Sequence, residues 1–386
     1  MKNFKFYEKK VFLLFSLFLV FALLISGCIK KEPETYKVGA ILPLSGSGAN
    51  YGKWEKQGVD LAVDEINQAG GINGKKIEII FEDSKSLPKD GVSAMNKLSS
   101  VDKVPVAIAG ISSVVLACAP VADQYKVVLL NSGGVSPKIR GAGQYVFSNI
   151  GDGAIEVKVT AEYAYNNLKF KKVAVLNINA AAGTDSRDIF IKHFKSLGGE
   201  IVAEEGHDQG ATDFRAQLTK IRDSKPDAIY LASFTKESAL ILKQASEMRI
   251  KTQWLSYAPF QGQDIITIAG NAAEGIIYTS PAFDPNSTDE KMKEFQNKYE
   301  SKYGVESELY AATFYDGIKL IAEAIKNGGY NSEGIRKALQ EIKDYPGVSG
   351  LTTFDADRAV SKPVILKTIK NGQFVLYSKD VFIPKY

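Results

Sequence analysis

The chain has 386 residues, with 48 Lys and Arg against 44 Asp and Glu and a formal charge of +4. No Lys/Arg block or basic-aromatic stripe gathers that charge, so nucleic acid is not an expected partner. Two Cys and two His leave no disulfide framework and no metal-ligand spacing, and neither a metal nor a cofactor is expected.

Residues 1–27 read as a leader. Lys2, Lys5, Lys9 and Lys10 form a basic start with Glu8 the only acid. Val11–Ile25 comes next as a run of 15 uncharged residues, suited to a signal-peptide core and short for a bilayer span. Ile25-Ser26-Gly27-Cys28 resembles the lipobox of secreted lipoproteins, in which the cysteine becomes a lipidated N-terminus; a plain membrane anchor is the alternative. Residues 28–35 are polar and read as a tether. The protein is then expected at the outer face of the cytoplasmic membrane. Cys118 is left alone and reads as a small buried hydrophobe.

Tyr36–Asp83 organises the rest of the chain. Lys37–Leu42 predicts a buried strand bounded by Pro43. Leu44–Tyr51 predicts a glycine-rich loop, and Trp54, Gly58, Leu61, Ala62 and Ile66 mark one apolar helix face. Gly70-Gly71 stops that helix, and Lys76–Asp83 alternates as a strand. The loop of this βαβ unit lies at the carboxyl end of its first strand, where open α/β sheets bind ligands. Strand–helix alternation continues to Gly151-Asp-Gly153, a candidate hinge. It restarts with a helix over Val159–Leu168, a strand over Lys172–Asn177, a small-residue loop over Ala180–Asp185 and a helix over Ser186–Leu197. Three helices between Thr288 and Ile342 and a few strands close the chain. The fold class is α/β, with two α/β halves one after the other.

No catalytic constellation is visible. His193 and His207 read as surface residues, and Asp83, Asp123 and Asp316 as solvated or helix-capping acids. G-x-S-x-G, G-x-G-x-x-G and P-loop patterns are missing from the expected places. Asn286-Ser-Thr288 matches an N-glycosylation sequon, a triplet common by chance.

Val38-Gly-Ala-Ile-Leu-Pro-Leu-Ser-Gly46, Tyr51-Gly52, Gly58-Val-Asp-Leu-Ala62, Gly70-Gly-Ile-Asn-Gly74, Gly110-Ile-Ser-Ser113 and Ala273-Glu-Gly-Ile276 occur in an order and spacing that carry a family resemblance. From about residue 36 onward the chain resembles the type I periplasmic binding proteins of the branched-chain amino-acid (Leu/Ile/Val) group. The resemblance implies two doubly wound lobes joined by three crossover strands, lobe 1 being 36–149 plus 284–349 and lobe 2 being 150–283 plus 350–386. It implies a non-enzymatic, lipid-anchored solute-binding subunit of an ABC importer, with a permease as partner. The ligand would be a small amino acid, branched-chain by family default, or a related organic acid or amide. The same fold also serves ligand sensors that signal to a membrane partner.

Carried over residue by residue, the resemblance makes Tyr51 the aromatic that packs on the ligand and Ser112 and Ser113 the holders of its carboxylate. Gly133, Gly134 and Val135 form the next loop, and Ala182 and Phe234 stand at aromatic positions on the far wall. Tyr257 and Ala258 cover the position of the acid that pairs with the ligand ammonium. Three positions depart: Val135 lacks the family's hydroxyl, Ala182 its aromatic ring and Ala258 its carboxylate. A buried ammonium without a carboxylate is costly. Either another acid replaces it, with Asp264 and Asp284 the nearest candidates, or the ligand lacks the ammonium.

Overall fold

The computed structural model describes residues 35–383; the leader and Cys28 lie outside the described residues. β1 (Thr35–Leu42), β2 (Lys76–Asp83), β3 (Val106–Ala109), β4 (Val128–Asn131) and β5 (Val146–Ser148) form a first sheet in the order β2-β1-β3-β4-β5. The pairs β1–β3, β3–β4 and β4–β5 are parallel. β3 and β4 are buried at every residue, as expected of parallel strands covered by helices on both faces. Those helices include α1 (Ala49–Gln68), α2 (Pro88–Ser100) and α3 (Ser112–Tyr125).

The second half supplies α4 (Gly153–Glu162), β6 (Lys172–Ile178), α5 (Ala181–Ser196), β7 (Glu200–His207), α6 (Arg215–Asp223), β8 (Ala228–Ala232), α7 (Thr235–Glu247), β9 (Gln253–Ser256) and β10 (Ile277–Pro281). Its strands run β10-β9-β8-β6-β7, the same winding as the first sheet. In each sheet the first strand lies between the second and the third. The winding therefore reverses at β1/β3 and at β6/β8, and such reversals open a crevice at the strands' carboxyl ends.

The last third returns to both sheets. α8 (Glu290–Tyr303), α9 (Leu309–Gly328) and α10 (Ser332–Gln340) are followed by β11 (Tyr345–Gly347), β12 (Gly350–Thr352), β13 (Val364–Lys370) and β14 (Gln373–Phe382). α8 and α9 pack on α1: Tyr299 donates to Gln57, Tyr315 and Lys319 to Glu65. A Cβ at Gly58 would fall 2.1 Å from the Ala311 carbonyl, so only glycine lets α9 approach this closely. β13 pairs antiparallel with β10, and β14 extends the second sheet beyond it.

Several expectations need correction. The loops over Leu44–Tyr51 and Ala180–Asp185 are shorter than the small residues suggest, because helices begin at Ala49 and Ala181. Alanine is the best helix former, and it opens both. The helix expected over Val159–Leu168 starts earlier and ends in a π-turn over Tyr163–Asn167. His193 stays partly exposed against Glu162, but His207 is buried, 2.9 Å from the Ser233 hydroxyl and edge-on to Phe214. Burial pushes the imidazole pKa down. Asp316 is also buried and accepts from the Val348 and Ser349 amides, so it ties the segment after α10 to α9.

Candidate ligand cleft

The loops at the two winding reversals face one another. Tyr51 sits in the first turn of α1 because Gly52 lies against Pro43, where a Cβ would meet the Pro43 carbonyl oxygen at 2.1 Å. Its hydroxyl donates to the Pro259 carbonyl at 2.5 Å and accepts from the Thr235 amide at 2.9 Å. Both partners belong to the opposite half. Phe234, Trp54 and Tyr310 surround the ring edge-on at 5.2 to 5.6 Å. Farther along the same seam, Ser136 and Lys138 bind Asp185 of α5, and Gln209 donates to Ser47.

Behind Tyr51 lies a cavity of about 10 Å³, room for about one water. Tyr51, Ser112, Gly133, Val135, Ala182 and Phe234 line it, joined by Glu55, Ile111, Pro259 and Tyr310. Of the other sequence-expected residues, Ser113 is half-buried off the cavity, and Gly134 is held outside it by Asn131. Tyr257 stands one layer back and donates to the Ala182 carbonyl at 2.8 Å.

Ser112 is oriented by what it already accepts. The Val135 and Ser136 amides donate to its Oγ at 2.9 and 3.0 Å, which occupies both lone pairs. Only its O–H remains, as a donor. It opens α3, whose N-terminal partial positive charge favours an anionic group there. Ile111, just before it, holds φ at 62°, a strained conformation for a β-branched residue. That strain is carried at the rim of the cleft.

An acid enters the cavity from an unforeseen residue. Glu55, one helical turn beyond Tyr51, is 1 % exposed, and its Oε2 has no partner among the described residues. Gly110 and Gly133 make its space: a Cβ on Gly110 would fall 2.1 Å from Oε1. Desolvation pushes the carboxyl pKa up to about 8. A second buried acid, Glu156 of α4, accepts from the Ala258 amide at 3.0 Å and is likewise pushed up to about 8 by burial. Its Oε1 is also unpartnered among the described residues. Position 258 thus has no carboxylate of its own but has one bonded to its backbone. Asp264 and Asp284 do not line this cavity.

A profile of the family described as periplasmic binding protein matches residues 35–373. The chain belongs to the periplasmic binding protein family. A Leu/Ile/Val-binding protein homolog of Brucella abortus is 28% identical over 326 residues, covering 82% of this chain and 85% of the relative. The branched-chain amino acid transporter substrate binding protein of Streptococcus pneumoniae, solved with isoleucine, is 32% identical with a TM-score of 0.83, over 91% of this chain and 100% of that one. A solute binding protein of an ABC transporter from Rhodopseudomonas palustris, solved with 3,4-dihydroxy benzoic acid, is 26% identical with a TM-score of 0.83, over 91% and 98%.

This periplasmic binding protein therefore has the α/β, two-lobed architecture of ABC-transporter solute receptors, whose ligands extend from amino acids to aromatic acids. The sequence signal for Glu55 was its place in the helix: Tyr51, Trp54, Glu55 and Gly58 share the buried stripe of α1, and an acid inside that stripe is the anomaly. Tyr310 carried no such signal, because nothing local says which sheet α9 covers.

Proposed function

We propose that the chain is the solute-receiving subunit of an ABC importer and that its cleft takes a zwitterionic α-amino acid, branched-chain by size and polarity. The observation that carries the reading is Glu55, a buried carboxylate with an unpartnered oxygen at the same cavity as the Ser112 hydroxyl donor. A ligand carboxylate fits Ser112 and the α3 N-terminus; a ligand ammonium fits Glu55, with Glu156 behind Ala258 adding negative charge. The remaining walls, Ile111, Val135, Ala182, Phe234 and Pro259, suit an aliphatic side chain. The cavity is too small for such a ligand, so loading requires the lobes to part and re-close, a hinge motion.

We assign lobe 1 to 36–149 plus 284–349 and lobe 2 to 150–283 plus 350–386, supported by the return of α8–α10 to the first sheet and of β13–β14 to the second. The leader over 1–27, lipidation at Cys28 and docking on a permease complete the reading; the sequence of the N-terminus and the family support them. Calorimetric titration with leucine, isoleucine and valine, beside 4-methylpentanoate, tests the ligand. 4-Methylpentanoate is leucine without its ammonium. The amino acids should bind at least ten times more tightly; equal or tighter binding of 4-methylpentanoate overturns the zwitterion reading.

A further inference from the structure

A second cavity, of about 570 Å³, opens beside the cleft on the side of the crossover after β10, with walls from both lobes. That volume is within the usual range for a small-molecule site. Trp54, Phe283 and Phe374 give it aromatic walls, and Gln261, Glu308 and Lys367 give it polar ones. Trp54 is the partition, since its other neighbour is Tyr51 of the cleft.

The polar wall is organised. Lys367 is 5 % exposed, and its ammonium has one hydrogen-bond acceptor among the described residues, Gln261 Oε1 at 3.1 Å. The Gln261 amide donates in turn to Glu308 Oε2 at a long 3.4 Å, and the Tyr278 hydroxyl locks it by donating to Oε1 at 2.9 Å. Lys367 and Glu308 thus stand an amide's width apart and form no salt bridge. A sheltered lysine and glutamate would ordinarily gain by direct contact. Here each charge keeps hydrogen-bonding capacity to spare toward the cavity. Asp284 and Glu306 add negative charge on the more exposed part of the lining, and Lys53 opposes them.

We propose that this cavity is a second ligand site for a zwitterion with separated charges, of the ω-amino acid class. Its carboxylate lies on Lys367, its ammonium on Glu308, and its methylene chain against Trp54 and Phe374. Because the walls come from both lobes, occupancy favours the closed form. The site does not depend on what the main cleft binds.

The probe is 5-aminovalerate, added to the protein with Trp254→Phe so that Trp54 is the one remaining tryptophan. Saturable change in Trp54 emission and a raised melting temperature are expected. Lys367→Met and Glu308→Gln should each weaken binding at least tenfold, whereas Glu55→Gln should leave it unchanged. Glu308→Gln is isosteric and keeps the test decisive if Lys367→Met does not fold. No saturable response at millimolar probe overturns the proposal. So does a response abolished by Glu55→Gln but insensitive to Glu308→Gln, which would place the probe in the main cleft.

Discussion

The two walls of the cleft are built from the same topology and do different work. The wall from the first sheet is chemically specific: Ser112 offers one directed donor, and Glu55 offers a desolvated carboxylate packed on two glycines. The wall from the second sheet, Ala182, Phe234 and Pro259, offers shape and a carbonyl that latches Tyr51. On the proposed reading, most of the charge recognition falls to the first wall and most of the shape to the second. Glu156 adds negative charge behind Ala258, and Ile111 and Val135 add apolar surface from the first half. Equivalent strand order places both winding reversals at the same cavity, and the proposed reading divides recognition between the residues there.

The sharpest way to break that division is Glu55→Gln. Removing one partner of a buried charge pair costs roughly 2–5 kcal/mol, so leucine affinity should fall about a hundredfold in calorimetry. Tyr51→Phe should cost less, about tenfold, because it deletes hydrogen bonds that close the lobes without touching ligand charge. Ala182→Val probes the other wall and should change affinity only a few-fold, with the loss larger for leucine than for valine. A greater effect at Ala182 than at Glu55 would reverse the assignment of roles.

Acidity gives a subtler test. Glu55 and Glu156 move from the ordinary 4.5 to about 8 on burial, so the folded protein holds protons that the unfolded chain has released. Stability of the ligand-free protein should therefore fall as pH rises between about 4.5 and about 8, and the melting temperature should fall with it. An ammonium ligand favours the ionised carboxylate, so binding near neutral pH should release protons. Calorimetric enthalpy should then vary with the buffer's ionisation enthalpy, and Glu55→Gln should reduce that variation.

Much of this was legible in the sequence where the signals are local. The run Lys37–Leu42 and the Gly70-Gly71 stop announced β1 and the end of α1, and Lys76–Asp83 appears as a strand with those bounds. What stayed hidden depends on tertiary placement. Ala49 and Ala181 open helices where runs of small residues suggested loops. His207 ends a strand in a polar stretch and is buried only because Ser233 and Phe214 close over it. Near position 258 the buried acid is Glu156, bonded to the Ala258 amide from a helix 102 residues away in the chain, and that contact is one no linear spacing encodes.

Tyr51 also couples lobe closure to the end of a helix. Its hydroxyl accepts the Thr235 amide at the start of α7, where Thr235 is the first helical residue and Phe234, the residue before it, makes no side-chain cap. Lobe closure therefore caps a helix from the opposite lobe, and lobe opening uncaps it. A missing cap costs about 1 kcal/mol and frays the first turn. The α7 N-terminus is thereby a built-in reporter: the Thr235 amide should exchange its hydrogen in step with the opening of the cleft, and Tyr51→Phe should make that exchange fast whether or not solute is bound.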